Sequence, residues 1–113
     1  MERPEKETVD LVPGTLGMLA LKALSRGEMH GYGVAEIIAR RSENVLQVEE
    51  GALYPALHKL EVRGLLASRW GISENNRRAK FYRLTALGKK VLEDESAKWV
   101  RVTAAIHKVM QPT

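Results

Sequence analysis

The sequence contains no cysteine among its 113 residues, which excludes both a disulfide framework and a thiolate metal site. Aromatic residues are also scarce, at 5%, and no apolar run approaches the roughly 18 residues that a membrane-spanning helix needs. Residues 1–10 are charged and lack the apolar segment of a secretory signal. We therefore expect a flexible N-terminal arm at residues 1–10, followed by one domain of a cytoplasmic protein.

The sequence also lacks a constellation that would support catalysis or metal binding. Its three histidines, His30, His58 and His107, are far apart and do not have the spacing of metal ligands. The acidic clusters at residues 49–50 and 93–95 consist of adjacent carboxylates, which point in different directions on a helix. We therefore expect no enzymatic activity, no metal and no cofactor.

Positive charge is in modest excess, with 18 Lys and Arg against 14 Asp and Glu, a formal charge of +4 and a pI of about 9.6. This balance favours a polyanionic partner only weakly, so the placement of the charge is more informative. Between residues 63 and 83 there are six basic residues and a single acidic one, Glu74. The basic residues are Arg63, Arg69, Arg77, Arg78, Lys80 and Arg83.

Apolar residues at helical spacing predict four helices. Thr15 is the expected N-cap of the first, and residues 30–33 are expected to form a glycine-rich turn into the second. His30 is expected to form a hydrogen bond at the start of that helix. The third helix is expected to begin near Glu49 or Glu50, because carboxylates suit the positive end of a helix dipole.

The third helix has a regular apolar face that predicts its buried side. Leu53, Leu57 and Leu60 recur at the i, i+4, i+7 spacing of one helix face and should be core. Pro55 costs a backbone hydrogen bond inside a helix, so we expect a late or distorted first turn rather than a break. Gly64 is a suitable residue for ending the helix. The side chains on the other faces include Tyr54, His58, Lys59 and Arg63.

A basic β-hairpin is predicted immediately after this helix. Residues 65–71 alternate, residues 73–76 have turn chemistry, and residues 80–84 form the return strand. Trp70 is expected to pack within the hairpin. A helix followed by such a hairpin is the layout of a winged helix.

The last helix is predicted over residues 86–110, with Thr85 as its N-cap. Leu92, Trp99 and Ile106 are seven residues apart, as are Val102 and Val109. A short heptad-like row of this kind suits packing against a partner helix. We therefore expect a mainly α protein with a small β-hairpin (α+β), a winged helix-turn-helix domain at residues 11–85 and a dimerisation helix at residues 86–113.

Two functions are compatible with this pattern. Cations on a protruding hairpin suit phosphate contacts, and a helix with a polar outer face suits base reading in the major groove, which favours DNA binding. The alternative is a helical dimeric protein-interaction module without sequence-specific DNA binding, whose hairpin charges are merely solvated. Binding to promoter DNA separates the two.

Several motifs in the same order make the chain similar to a known family. It resembles the PadR family of bacterial transcriptional regulators, in the short form with a single C-terminal helix. The sequences at residues 48–51 and 73–78 together look like those of a subgroup common in acidobacteria, whose members are often encoded beside membrane permease genes. The motifs that carry the resemblance are Gly14-Thr15-Leu16, His30-Gly31-Tyr32, Gly51-Ala52-Leu53-Tyr54-Pro55-Ala56-Leu57, Leu60-Glu61, Gly64-Leu65, Arg78-Ala79-Lys80-Phe81-Tyr82-Arg83-Leu84-Thr85 and Gly88.

The resemblance implies a homodimeric winged helix-turn-helix repressor that binds a pseudo-palindromic, double-stranded DNA operator. Its third helix would enter the major groove and its wing would hold the flanking backbone. The DNA-binding residues that we expect from these features are Tyr54, Pro55, His58, Lys59, Arg77, Arg78 and Lys80. The expected dimer interface, built by the first and last helices, comprises Leu16, Leu19, Leu92, Trp99, Val102, Ile106 and Val109.

The resemblance also raises the hypothesis of a small planar aromatic effector. Some multidrug-responsive members stack planar compounds on a Trp of the last helix, and Trp99, with Val102 beside it, falls at the matching place. The alternative for Trp99 is packing in the core or the interface. The chain departs from the family pattern at Ala52, where Thr or Ser is usual, and at Glu49 and Glu50, which place negative charge near the DNA side.

Overall fold

The computed structural model describes residues 11–113, so the expected N-terminal arm lies outside the described residues. Within that range the chain forms four helices and three strands, as expected for a mainly α protein with a small sheet. None of these helices is long and apolar enough to cross a membrane. In chain order the elements are α1 (Thr15–Leu24), β1 (Met29–His30), α2 (Gly31–Arg41), α3 (Glu50–Val62), β2 (Leu66–Ile72), β3 (Arg78–Leu84) and α4 (Ala86–Met110).

The sheet has one strand more than the sequence pattern predicts. Its three strands are antiparallel in the order β1-β3-β2. The extra strand, β1, consists of Met29 opposite Tyr82 and His30 opposite Phe81. Two residues are too few to show the alternation that marks a strand in a sequence. The predicted two-stranded hairpin is therefore correct but incomplete.

The hairpin of β2 and β3 forms the wing, which we define as residues 66–84. Its register runs from Leu66 opposite Leu84 to Ile72 opposite Arg78, so β3 begins two residues earlier than predicted. Asn76 has a φ of 59° in the connecting turn, which confirms the expected left-handed asparagine. The turn is closed by the N–H of Asn76, which donates to the Ser73 carbonyl at 2.8 Å.

The N-cap prediction for α1 is wrong. The capping residue is Gly14, whose φ of 88° lies in the left-handed region and which has no side chain with which to cap the helix. Thr15 is instead the first helical residue, and its hydroxyl donates to the Val12 carbonyl at 2.7 Å. The hydroxyl therefore bonds backward to the preceding loop, whereas an N-cap would accept a bond from the helix.

The predicted caps of the other helices are confirmed. His30 Nδ1 accepts from the Gly33 N–H at 3.2 Å, and Thr85 Oγ1 accepts from the Gly88 N–H at 3.0 Å. Thr85 also donates its hydroxyl proton to the Gly64 carbonyl at 2.7 Å, which ties the start of α4 to the end of α3. Gly64, with a φ of 81°, ends α3 as expected.

The core lies where α1, α2 and α3 meet the base of the sheet. Leu53, Leu57 and Leu60 are all buried, as predicted. The base of α4 is held against this core through Leu92 and through Gly88, where a Cβ would overlap the Leu65 carbonyl oxygen. The remaining length of this 25-residue helix, about 37 Å in all, carries its side chains largely exposed.

Candidate nucleic-acid interface

The outer face of α3 presents the side chains that were predicted to contact DNA. Tyr54 is 44% exposed, and Pro55, His58 and Lys59 are also exposed. At about 100° per residue, Tyr54 and Lys59 project from opposite flanks of the helix. The helix starts at Glu50 and continues unbroken through Pro55, so its first turn is not late.

Tyr54 is seated against the start of α2. A Cβ on Gly31 would lie 2.5 Å from Tyr54 Cε1 and 2.9 Å from its hydroxyl oxygen, so the ring packs directly over a residue without a side chain. Gly31 and Gly33 do not have positive φ angles and belong to α2, so they do not form the predicted tight turn. Gly31 instead makes room for Tyr54, a pairing between residues 23 positions apart that sequence spacing does not reveal.

A groove of about 740 Å³ separates α3 and the start of α2 from the wing. Two acidic residues, Glu36 and Glu74, also line it. The groove combines aromatic surfaces with cations, which are the groups that contact the sugars and phosphates of a nucleic-acid strand. The aromatic side chains that line it are His30, Tyr32, Tyr54, Trp70 and Tyr82, and the cationic ones are Arg77, Arg78 and Lys80.

Trp70 is the functional candidate that the sequence did not reveal. It lines the groove and is 57% exposed, so the predicted packing within the hairpin is limited to a contact with Arg78 that leaves much of the ring open. The guanidinium carbon of Arg78 lies 4.5 Å from the centre of its ring, within range of a cation–π contact. The strand register explains this placement. Trp70 is paired with Lys80 across the two strands, so its side chain lies on the same face of the sheet as those of Lys80 and Arg78.

Lys80 is already paired within the protein. Its Nζ lies 3.1 Å from Glu61 Oε1, and the second Glu61 oxygen accepts from the Ser68 hydroxyl at 2.5 Å. The hydrogen bond from Ser68, reinforced by Lys80, lowers the pKa of the Glu61 carboxyl from its usual 4.5. Glu61 is on α3, so this network joins the helix to both strands of the wing.

Arg69 is paired on the opposite face of the wing. Its Nε and Nη2 donate to the two carboxylate oxygens of Glu28 at 3.0 and 2.7 Å, and its guanidinium lies 5.0 Å from the Phe81 ring centre. The hydrogen bond from Arg69 lowers the pKa of Glu28. Arg77 and Arg78, exposed at the wing tip, therefore differ from Arg69 and Lys80, whose charges are matched by carboxylates.

The residues predicted to form a dimer interface divide into two groups. Leu92 is 9% exposed and belongs to the core of its own chain, and Leu16 and Leu19 pack against that core while remaining half-buried. The others form an exposed apolar stripe along α4, which we call the α4 stripe. It consists of Trp99, Val102, Ile106 and Val109, which are 37%, 40%, 54% and 82% exposed.

Comparison with known proteins identifies the family. The family model described as the transcriptional regulator PadR-like family matches residues 20–94. The chain belongs to this family. Members of the PadR family are non-enzymatic transcriptional regulators that bind DNA, which confirms both the predicted resemblance and the expectation that the chain is not an enzyme.

Solved structures show the same fold. A transcriptional regulator from Clostridium thermocellum matches with a TM-score of 0.78 and 26% identity, covering 87% of this chain and 95% of that one. A PadR family transcriptional regulator from Eggerthella lenta matches with a TM-score of 0.75 and 33% identity, covering 88% and 85%. Transcriptional regulator Rv3488 of Mycobacterium tuberculosis is 34% identical over 68 residues, 60% of each chain. The two solved structures confirm the winged-helix fold.

Proposed function

We propose that this PadR-family protein acts as a dimeric repressor that binds a pseudo-palindromic operator. In each protomer α3 enters the major groove and the wing grips the adjacent backbone. The groove between Tyr54 and the wing tip is the observation that carries this proposal, because it sets a base-reading helix beside cations and aromatic side chains. A DNA strand lying in that groove would meet both elements at once.

The wing supplies two kinds of backbone contact. Arg77 and Arg78 are exposed cations and would bind phosphates directly. Trp70, held beside Arg78, would pack against the sugar of the same strand. Lys80 would contribute less to phosphate binding than its charge suggests, because Glu61 competes for its ammonium group.

The α4 stripe supports dimerisation. Its four apolar residues project from a helix that extends beyond the core of its own chain, and a second copy of the helix would bury them. Two recognition helices in successive major grooves would place the half-sites about one helical turn apart, roughly 34 Å. Ile106→Glu should convert the dimer into a monomer in sedimentation experiments and abolish operator binding at the same protein concentration.

An aromatic effector would bind where the two copies of α4 meet. Trp99 is part of the α4 stripe, and facing indoles from two protomers, with Val102 beside them, would sandwich a planar molecule. Titration with planar aromatic dyes should quench tryptophan fluorescence in the wild type and release the operator. Unchanged quenching in Trp99→Ala would assign Trp99 to packing alone, and Trp70→Phe serves as the matched control for the second indole.

Binding to promoter DNA tests the proposal against the protein-interaction alternative. In a gel-shift assay with DNA from upstream of the protein's own gene, we expect retardation that weakens with salt and is lost on a scrambled duplex. Absence of binding even at low salt would support the interaction module. An in vitro transcription assay from the same promoter then tests the repressor role, since bound protein should lower transcript yield.

A further inference from the structure

The ridge of α3 that lies furthest from the core contains the two residues least favoured in a helix interior. Gly51 and Pro55 are four positions apart within α3, and both are exposed. Glycine weakens a helix through its backbone entropy, and proline removes a hydrogen bond. Gly51 is the second residue of α3, and Pro55, the sixth, lies inside the helix, so a functional reason for the pair is expected if the fold provides none.

The fold provides no reason for either residue. Gly51 does not have a positive φ, and a Cβ at this position would meet nothing within 4 Å. It therefore serves neither a turn nor a close approach within the described chain, unlike Gly64 or Gly88. Pro55 does not end the helix, which continues to Val62.

The two residues share the direction that faces away from the protein. At about 100° per residue, both point within about 30° of the direction opposite Leu53, Leu57 and Leu60. They also lie in the first two turns of α3, the part of a recognition helix that reaches base edges. Gly51 and Pro55 therefore occupy the deepest position in the major groove if α3 enters it as proposed.

The pair leaves a backbone acceptor on this ridge. In a helix, the carbonyl of Gly51 would accept the N–H of the residue four positions later, which is Pro55 and has no N–H. Gly51 also has no side chain that would shield this carbonyl from a base. In the major groove the matching donors on base edges are the exocyclic amino groups of adenine and cytosine.

We propose that the Gly51 carbonyl oxygen reads the operator by accepting a hydrogen bond from the exocyclic amino group of an adenine or a cytosine. This inference rests on the proposed entry of α3 into the major groove. Glycine at position 51 lets the backbone approach the base, and proline at position 55 keeps the carbonyl available. Sequence preference at this base pair then comes from the main chain, a contact that side-chain substitutions on α3 would not reveal.

The test combines a protein change with a change of single DNA atoms. Pro55→Ala restores the missing N–H and so occupies the Gly51 carbonyl. In the operator, adenines are replaced one at a time by purine deoxynucleotide, which lacks the N6 amine, and cytosines by a 2-pyrimidinone nucleotide, which lacks the N4 amine. At one base pair in each half-site, amine removal should weaken wild-type binding about three- to tenfold and leave Pro55→Ala binding nearly unchanged.

The set of base replacements, adenine or cytosine, in which amine removal weakens the wild type but not Pro55→Ala identifies the base that is read. Equal losses for both proteins at every position would overturn the assignment while leaving DNA binding by α3 intact. Absence of selective binding by the wild type would overturn the proposed function itself, and this assignment with it.

A second variant distinguishes a loss of operator affinity from a loss of folding stability. Gly51→Ala adds a methyl group into open space and favours the helix, so the melting temperature should rise or stay the same. Its affinity for the operator should nevertheless fall about tenfold or more, because the methyl group would separate the backbone from the base. Wild-type affinity in Gly51→Ala would also contradict the proposal.

Discussion

The salt dependence of DNA binding should separate the wing cations that have no carboxylate partner within residues 11–113 from those that are paired. Arg77 and Arg78 are exposed at the wing tip, whereas Lys80 lies 3.1 Å from a Glu61 oxygen. Removing a single cation–phosphate interaction reduces the slope of log K against log salt by about 0.9. Replacing Arg77 and Arg78 together with alanine should therefore reduce the slope by about 1.8.

The consequence for affinity can be worked out over an accessible salt range. Between about 50 and 200 mM salt, a fourfold change, a slope difference of about 1.8 corresponds to a change of about 12-fold in the ratio of wild-type to variant affinity. Lys80→Ala should reduce the slope by less than about 0.9, because the ammonium group is shared with Glu61 and releases fewer counterions on binding.

Fluorescence anisotropy with a labelled operator duplex, titrated at several salt concentrations, measures these slopes. Arg101→Ala combined with Lys108→Ala makes the same charge change on the exposed side of α4 opposite the α4 stripe and should leave the slope unchanged. A wild-type slope in the double variant of Arg77 and Arg78 would contradict the distinction between wing cations with and without a carboxylate partner. A reduction of the slope by Lys80→Ala as large as that caused by each of the two arginine replacements would contradict it as well.

Three further predictions concern packing and the network that joins α3 to the wing. Gly88→Ala drives a methyl group into the Leu65 carbonyl and should destabilise the protein by about 1–3 kcal/mol, seen as a lower melting temperature. Gly31→Ala should displace the Tyr54 ring and lower operator affinity roughly tenfold in anisotropy titrations, whereas wild-type affinity would show that the ring position is irrelevant. Because the pKa of Glu61 in the folded state lies below 4.5, its carboxylate stabilises the protein fully above pH 4.5, and this stabilisation is lost as the pH falls through the lower value. The free energy of unfolding that Glu61→Gln loses relative to the wild type, measured in urea, should therefore shrink from pH 7 to pH 3. A loss that stays constant over this range would argue against the linkage.

The sequence was sufficient wherever a local periodic pattern determines structure. Leu53, Leu57 and Leu60 mark one face of a helix whichever tertiary contacts follow, and burial of that face was predicted and observed. Thr85 was equally readable, because an N-cap acts within three residues of itself.

Features that depend on distant residues were not readable in this way. The pairs Glu28–Arg69 and Glu61–Lys80 join positions 41 and 19 residues apart, and they form only because the tertiary fold sets each cation beside its carboxylate. β1 is a strand only because β3 pairs with it, since two residues carry no alternation of their own.

The candidate site was predicted in part for the same reason. Tyr54, His58 and Lys59 follow from the helix period once the buried leucines are known, and all three are exposed. Trp70 was missed, because an aromatic residue in a strand usually packs, and its exposure depends on how the wing projects from the body. Whether these residues contact DNA remains a prediction.

Hydroxyl-radical footprinting on the protein's own promoter tests the central claim most directly, because it maps protection along each DNA strand. If two copies of α3 and two wings bind as proposed, protection should appear in two symmetric halves centred about 34 Å apart, roughly one helical turn. The flanking segments, where the wings grip the backbone, should lose protection in the Arg77/Arg78 double variant. A single protected half, or protection that is the same on a scrambled duplex, would contradict the account.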